Sequence, residues 1–268
     1  MAMELFTRKL WISIILFMPF ITVSCDGIGG LDGGSGSSDK EPEVMLSAGA
    51  EIVDGYECVD LGLSVKWATY NVGAYIENDL GGFYSWGETQ EKSAYTRAAY
   101  AHSIVTEEND WFLTKYCTDE AYGYESFKDD KTVLDADDDV AHVLWKGDWR
   151  MPTPEEQQEL LDNCTWTWIT AKDTRGRELS GFKVTSKKKG FTDRFIFLPA
   201  GGYKSEDGTF ARSSYGIYWS NKLYEADGAV KIYAQTLTFY GGKYMDEEKT
   251  YMFCDSRERG VNVRAVHP

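Results

Sequence analysis

Histidine is scarce in this chain of 268 residues: only His102, His142 and His267 occur, far apart. None of the five cysteines forms a C-x-x-C pair, so a zinc centre has no nucleus in the sequence. The H-E-x-x-H, G-x-S-x-G and Walker patterns are missing as well, which leaves the common metalloprotease, serine hydrolase and NTPase chemistries without their signatures. Basic charge is in deficit. With 28 Lys and Arg against 43 Asp and Glu the formal charge is −15, and no diffuse positive field exists to draw in a phosphate backbone; nucleic acid is not an expected partner. No repeat of solenoid or propeller length is visible. The one long apolar run, Leu10 to Val23, spans only about 21 Å as a helix, short of the roughly 30 Å hydrocarbon core of a bilayer.

That short run follows Arg8 and Lys9 and is broken by Pro19, which is the pattern of a signal peptide rather than a membrane span. It ends in Thr22-Val23-Ser24-Cys25. Small residues before a cysteine resemble a bacterial lipobox, so residues 1–24 are expected to be cleaved and Cys25 to be the lipid attachment site. Residues 25–51 begin with a Gly/Ser/Asp tract that cannot build a core and reads as a flexible tether. Its glycines nearly spell a dinucleotide fingerprint, but Asp32 stands where the third glycine belongs and no strand precedes it, so no cofactor is assigned. Lipid and tether together predict a folded domain displayed near a membrane.

From residue 52 to 268 the composition is uniform and rich in aromatics, which predicts one domain. Val59, Leu61, Leu63, Val65 and Trp67 alternate with polar or small residues, the period of a strand or a tight pair of strands. Val261, Val263 and Ala265 repeat that period near the other end, and further strand-like runs lie at 182–185, 195–198, 216–219, 230–239 and 251–254. One helix is clearly punctuated over Pro154 to Asn163: Thr153 is its N-cap, Pro154 suits its first position and Glu156 completes a capping box. A shorter helix is expected to start in the cluster Asp135, Asp137, Asp138 and Asp139 and to carry Val140, Ala141, Val143 and Leu144. Two or so helices among short antiparallel strands and long irregular loops make an α+β domain.

Asp135, Asp137 and Asp139 also match the first three ligands of a calcium loop, but Val140 and Lys146 occupy the glycine and glutamate positions, so helix capping is the stronger reading. No metal ligand is assigned, and calcium held by scattered carboxylates stays possible. Trp166 and Trp168 would share one face of a strand, packed inward or stacking a sugar ring. Lys187-Lys188-Lys189 reads as a solvated turn. Cys58, Cys117, Cys164 and Cys254 allow up to two disulfides in an exported protein, with the pairing open.

Seven ordered blocks carry a resemblance: Val59 to Ala68, Phe83 to Thr89, Leu134 to Asp139, Trp149 to Thr153, Phe197 to Gly202, Tyr218 to Ser220 and Gly260 to Arg264. Together they resemble the Fibrobacter and Bacteroides major paralogous domain of secreted lipoproteins, similar to the C-type lectin-like and formylglycine-generating-enzyme folds. The resemblance covers about Tyr56 to Val266 and departs at Arg264-Ala265-Val266, where the family usually reads Arg-Pro-Val. It implies terminal strands that lie together and long loops that make a ligand surface, with the stretch from about Tyr215 to Arg259 as its variable part. That stretch holds seven tyrosines, a residue type that offers contact area and a hydroxyl at low entropy cost. Asn221, Tyr224, Tyr240 and Tyr244, beside glycines and charges, are the candidate ligand-binding residues. The resulting expectation is an outer-membrane, surface-displayed lipoprotein that binds a glycan or protein ligand without turnover. A glycan-acting or oxidative enzyme, or a structural subunit of a surface assembly, are the alternatives.

Overall fold

A computed structural model describes residues 47–268 except 77–78, 173–175, 177, 207, 211–213, 227–230 and 243–246. Every described residue belongs to one compact unit. The expected signal peptide, the Cys25 lipid site and Tyr244 lie outside the described residues.

In chain order the elements are β1 (Ala50–Val53), β2 (Tyr56–Val59), β3 (Lys66–Ala68), β4 (Ser103–Val105), β5 (Trp111–Leu113), α1 (Val140–Trp145), α2 (Pro154–Asn163), β6 (Cys164–Lys172), β7 (Glu178–Ser186) and β8 (Phe195–Pro199). They continue with β9 (Tyr203–Ser205), β10 (Gly208–Phe210), β11 (Tyr215–Leu223), β12 (Tyr233–Tyr240), β13 (Lys249–Ser256) and β14 (Val266–His267). Among the described residues the strands form small antiparallel sheets in the orders β1-β2-β3-β14, β4-β5, β6-β7-β8, β9-β10 and β11-β12-β13. This is a strand-rich α+β domain. Strand β1 takes up Ala50 and Glu51, which the sequence reading left in the tether, and Glu51 pairs with Lys66 at 2.9 Å.

Period 2 sends neighbouring side chains to opposite faces, and here both faces are buried. In β11, Ile217 and Trp219 enter one apolar cluster with Trp86, Trp145 and Trp149, while Tyr218 enters a second with Trp67, Phe182 and Phe239. Six of the seven sequence blocks contribute to the interior: Trp67, Trp86, Trp149, Phe197, Tyr218, Trp219 and Arg264 are among the largest fully buried side chains. Buried indoles usually find a hydrogen-bond partner, and backbone carbonyls supply it for three of them. Trp86 donates to Ser220 O at 2.9 Å, Trp219 to Tyr84 O at 2.8 Å and Trp149 to Val53 O at 3.1 Å.

Helix α2 occupies the residues its caps specify. Thr153 accepts from Glu156 N, Glu156 reaches back to Thr153 N at 2.8 Å, and Arg150 holds the same carboxylate with both terminal nitrogens. Asp139 caps α1, accepting from Ala141 N and His142 N with one oxygen and from Met151 N with the other. Asp135 is held by Lys131 and Lys115. Two carboxylates of the candidate calcium loop thus serve a helix cap and ion pairs, and among the described residues no group of three or more His, Cys, Asp or Glu side chains is placed to hold a metal.

The segment 261–266 departs from the expected half-exposed strand. All of it is buried, and instead of one continuous ladder it makes isolated bridges to Tyr84, Tyr218 and, through Val266, to Arg150. The polar members of the alternation point into protein: Asn262 donates to Leu80 O and Gly82 O, and Arg264 donates to Asn71 Oδ1 and to the carbonyls of Ala68, Thr69 and Phe197 at 2.7–3.0 Å. Trp166 and Trp168 share a face of β6 and pack edge-on against Phe182 at 5.5 and 5.0 Å, so that face is largely turned inward. The four described cysteines are free thiols. Cys58, Cys164 and Cys117 lie in three different apolar clusters, and burial pushes the Cys58 and Cys164 thiols up to about 11 and about 12.

Candidate functional site

Two neighbouring clefts open on either side of one short wall of chain. The wall is the turn from Ser256 to Gly260 together with β9. Its rigidity comes from Arg257, which is fully buried and donates to Tyr116 O at 2.9 Å and to Lys231 O, with its guanidinium 5.7 Å from the Trp86 ring. Backbone bonds tie the same turn to its surroundings: Trp86 N to Arg257 O at 2.9 Å, and a reciprocal pair between Lys204 and Gly260 at 2.8 and 2.9 Å. Ser85 Oγ adds a bond to Glu258 O at 2.8 Å. Glycine at 260 is required because a Cβ there would stand 2.5 Å from the Tyr95 ring. The side chains of Glu258 and Arg259 are therefore presented from a fixed backbone.

The first cleft, about 590 Å³, lies over β11, β12 and β13 and is lined by Tyr203, Tyr215, Ile217, Tyr233, Thr238, Phe253, Cys254, Asp255, Ser256 and Arg259. Arg259 sits over the Tyr203 ring at 4.7 Å and donates to Asp255 at 2.8 Å. Burial lifts the Asp255 carboxyl above the ordinary range even though Arg259 pulls it down. Tyr215 shares a hydroxyl contact of 3.3 Å with Tyr251. Phe253 is 53% exposed, an apolar ring left facing water at the cleft's rim.

The second cleft, about 450 Å³, is built by four separate stretches of chain: Tyr95–Ala98, the β4–β5 hairpin, the Ser205–Glu206 turn after β9, and Glu258–Arg259. Trp111 of β5 lies under the Arg97 guanidinium at 4.9 Å. The hairpin tip turns at Asn109, whose φ of 68° is in the left-handed region that asparagine tolerates best among non-glycine residues.

The residues singled out from the sequence do not gather in one place. Tyr240 is opposite Tyr215 in the register, stacks on it at 6.3 Å and donates to Glu247, so it borders the first cleft's tyrosine group. Asn221 lies near the opposite end of nine-residue β11 and Tyr224 just beyond it, about 20 and about 30 Å along the strand from Tyr215 at roughly 3.3 Å per residue, yet Tyr224 N donates to the carbonyl of Tyr233, a residue of the first cleft, at 3.1 Å. There Tyr224 borders a shallow hollow of about 370 Å³ with Pro154, Glu155 and Gln235. Sequence reasoning missed Arg97, Trp111, Glu258 and Tyr203. Arg259 stood only as the end of the variable stretch. Their common signal is an aromatic beside a charge in a region with no periodicity, which becomes informative only when the topology brings the stretches together.

No protein-family model matches the chain, and neither a curated protein nor a solved structure matches it.

Proposed function

We propose that this chain is a lipid-anchored binding protein of the cell envelope, held by Cys25 and its tether, that recognises a glycan or protein ligand without chemical turnover. In this reading it belongs to the Fibrobacter and Bacteroides major paralogous domains with a C-type lectin-like fold, displayed at the outer membrane. The observation that carries the binding reading is the tyrosine-lined cleft over β11–β13. All of its lining residues but Tyr203 fall within the stretch 215–259 that the resemblance marks as variable. Rigid aromatic rings supply apolar area while the Asp255–Arg259 pair supplies direction, the usual division of labour in a small recognition site. The charged groups at the cleft are engaged with each other, an arrangement suited to orienting a ligand more than to passing protons. Among the described residues no helix is long and apolar enough to cross a membrane.

The test is a glycan array and an affinity capture against envelope proteins, each run on the unaltered chain and on Phe253→Ala. Specific binding that Phe253→Ala weakens by tenfold or more, with no product released from the ligand, supports the reading. Release of a cleaved product would overturn it in favour of an enzyme. The role of a structural subunit has its own observation: β13 is paired on one side only among the described residues, and an open edge can accept a strand. Concentration-dependent assembly blocked by a proline within β13 would favour that role.

A further inference from the structure

We infer that the second cleft, between the β4–β5 hairpin and the Glu258–Arg259 wall, is a site for one uncharged sugar ring of a glycan. This rests on the binding reading above and narrows its ligand class. The cavity of about 450 Å³ falls in the size range of small-molecule sites. Its lining mixes both signs, Arg97 and Arg259 with Glu206 and Glu258, so a net charge on the ligand would meet its like there. A rigid ring of neighbouring hydroxyls, each both donor and acceptor, fits guanidinium donors and carboxylate acceptors at once.

Seven buried side-chain atoms have no hydrogen-bond partner among the described residues, and the two whose residues line a cleft, Trp111 Nε1 and Glu258 Oε2, both belong to this one. A buried polar atom without a partner at a cleft is a place where a ligand can supply it. Arg97 lies against both residues, its guanidinium over the Trp111 ring and its Nε 3.9 Å from Glu258 Oε1. That separation is too long for a hydrogen bond, and the Arg97 side chain is 56% exposed, so it acts as a loosely held cover. A sugar that displaces it accepts a hydrogen bond from Trp111 Nε1 at the edge of the indole and donates a hydroxyl to Glu258 Oε2. One neutral ligand thereby satisfies two groups that the free protein leaves without partners.

The experiment is saturation-transfer NMR and tryptophan fluorescence titration of the full chain. The probes are the methyl glycosides of glucose, galactose, mannose and N-acetylglucosamine, with galacturonate and glucuronate as charged counterparts. The expected result is saturable binding of at least one neutral glycoside, weakened tenfold or more by Trp111→Phe, which keeps the ring and removes the donor, and by Glu258→Gln, which keeps the shape. Tyr75→Ala, at an exposed ring outside both clefts, leaves this binding unchanged. Binding of the uronates alone would overturn the inference and make the cleft an anion site. Absence of binding by every probe would also overturn it. The broader binding reading then stands or falls separately on the array and capture results with Phe253→Ala.

Discussion

Arg264 shows how much a single residue carries in this molecule. Its buried guanidinium joins Asn71, the carbonyls of β3 and its following residue, and Phe197 of β8, so it links the C-terminal segment to two sheets. A planar fork of five donors suits that task and a lysine does not. Arg264→Ala leaves several buried acceptors without a donor and is expected to cost about 3–5 kcal/mol, read as a lowered urea midpoint; a loss below about 1 kcal/mol would show that water replaces the guanidinium. Charge near the surface acts more gently. Hydrogen bonds from Lys131 and Lys115 pull the Asp135 carboxyl from 3.8 down to about 2. A carboxyl held low in the folded state adds stability above its unfolded pKa and loses it as pH falls through the folded value. The urea midpoint of the wild type should therefore exceed that of Asp135→Asn at pH 5, and the gap should close by pH 2. The effect is small because the side chain is partly solvated. At the four described cysteines the expectation is chemical: with all of them free, reductant leaves the melting temperature unchanged. In a thiol titration with Ellman's reagent, partly exposed Cys254 reacts first, while Cys58 and Cys164 wait for unfolding.

Local elements follow from local chemistry where the signal is itself local. The Thr153–Glu156 capping box and Pro154 delimit α2 because caps are read within four residues. Thr153→Ala is expected to cost about 1 kcal/mol, checked by thermal denaturation. The strand-like runs at 182–185, 195–198 and 216–219 fall inside β7, β8 and β11 for the same reason, whereas period-2 alternation was read at the two ends of the domain. It failed at 261–266, where period 2 is real but both faces are covered: Asn262 and Arg264 look like solvent-facing residues until their distant acceptors at Leu80 and Phe197 are known. The residues lining the candidate clefts were the least legible. Tyr215 and Tyr233 stood among seven candidate tyrosines with nothing to rank them, and Asn221 and Tyr224 were chosen by their neighbours in sequence although β11 carries them to the far end of the sheet. Trp111 and Arg97 lie in short, irregular stretches whose relation to Glu258, far along the chain, exists only in three dimensions.

At the scale of the whole molecule, the chain builds two apolar clusters on either side of its central strands and sets the rigid turn 256–260 above them as a wall between two clefts. The buried Arg257 fixes that wall from below, and Glu258 and Arg259 face outward from it. Of the rim residues, Phe253 stands exposed, whereas Tyr203 and Trp111 also pack against the apolar clusters beneath. The most direct test of the account is equilibrium binding of the array-selected glycan to the unaltered chain and to Phe253→Ala and Trp111→Phe, with the melting temperature of each measured in parallel. The account predicts affinities lowered tenfold or more in both variants, with melting temperatures within a few degrees of the parent and no ligand cleavage. Unchanged affinity in both variants, or loss of affinity only in step with loss of the fold, would contradict it.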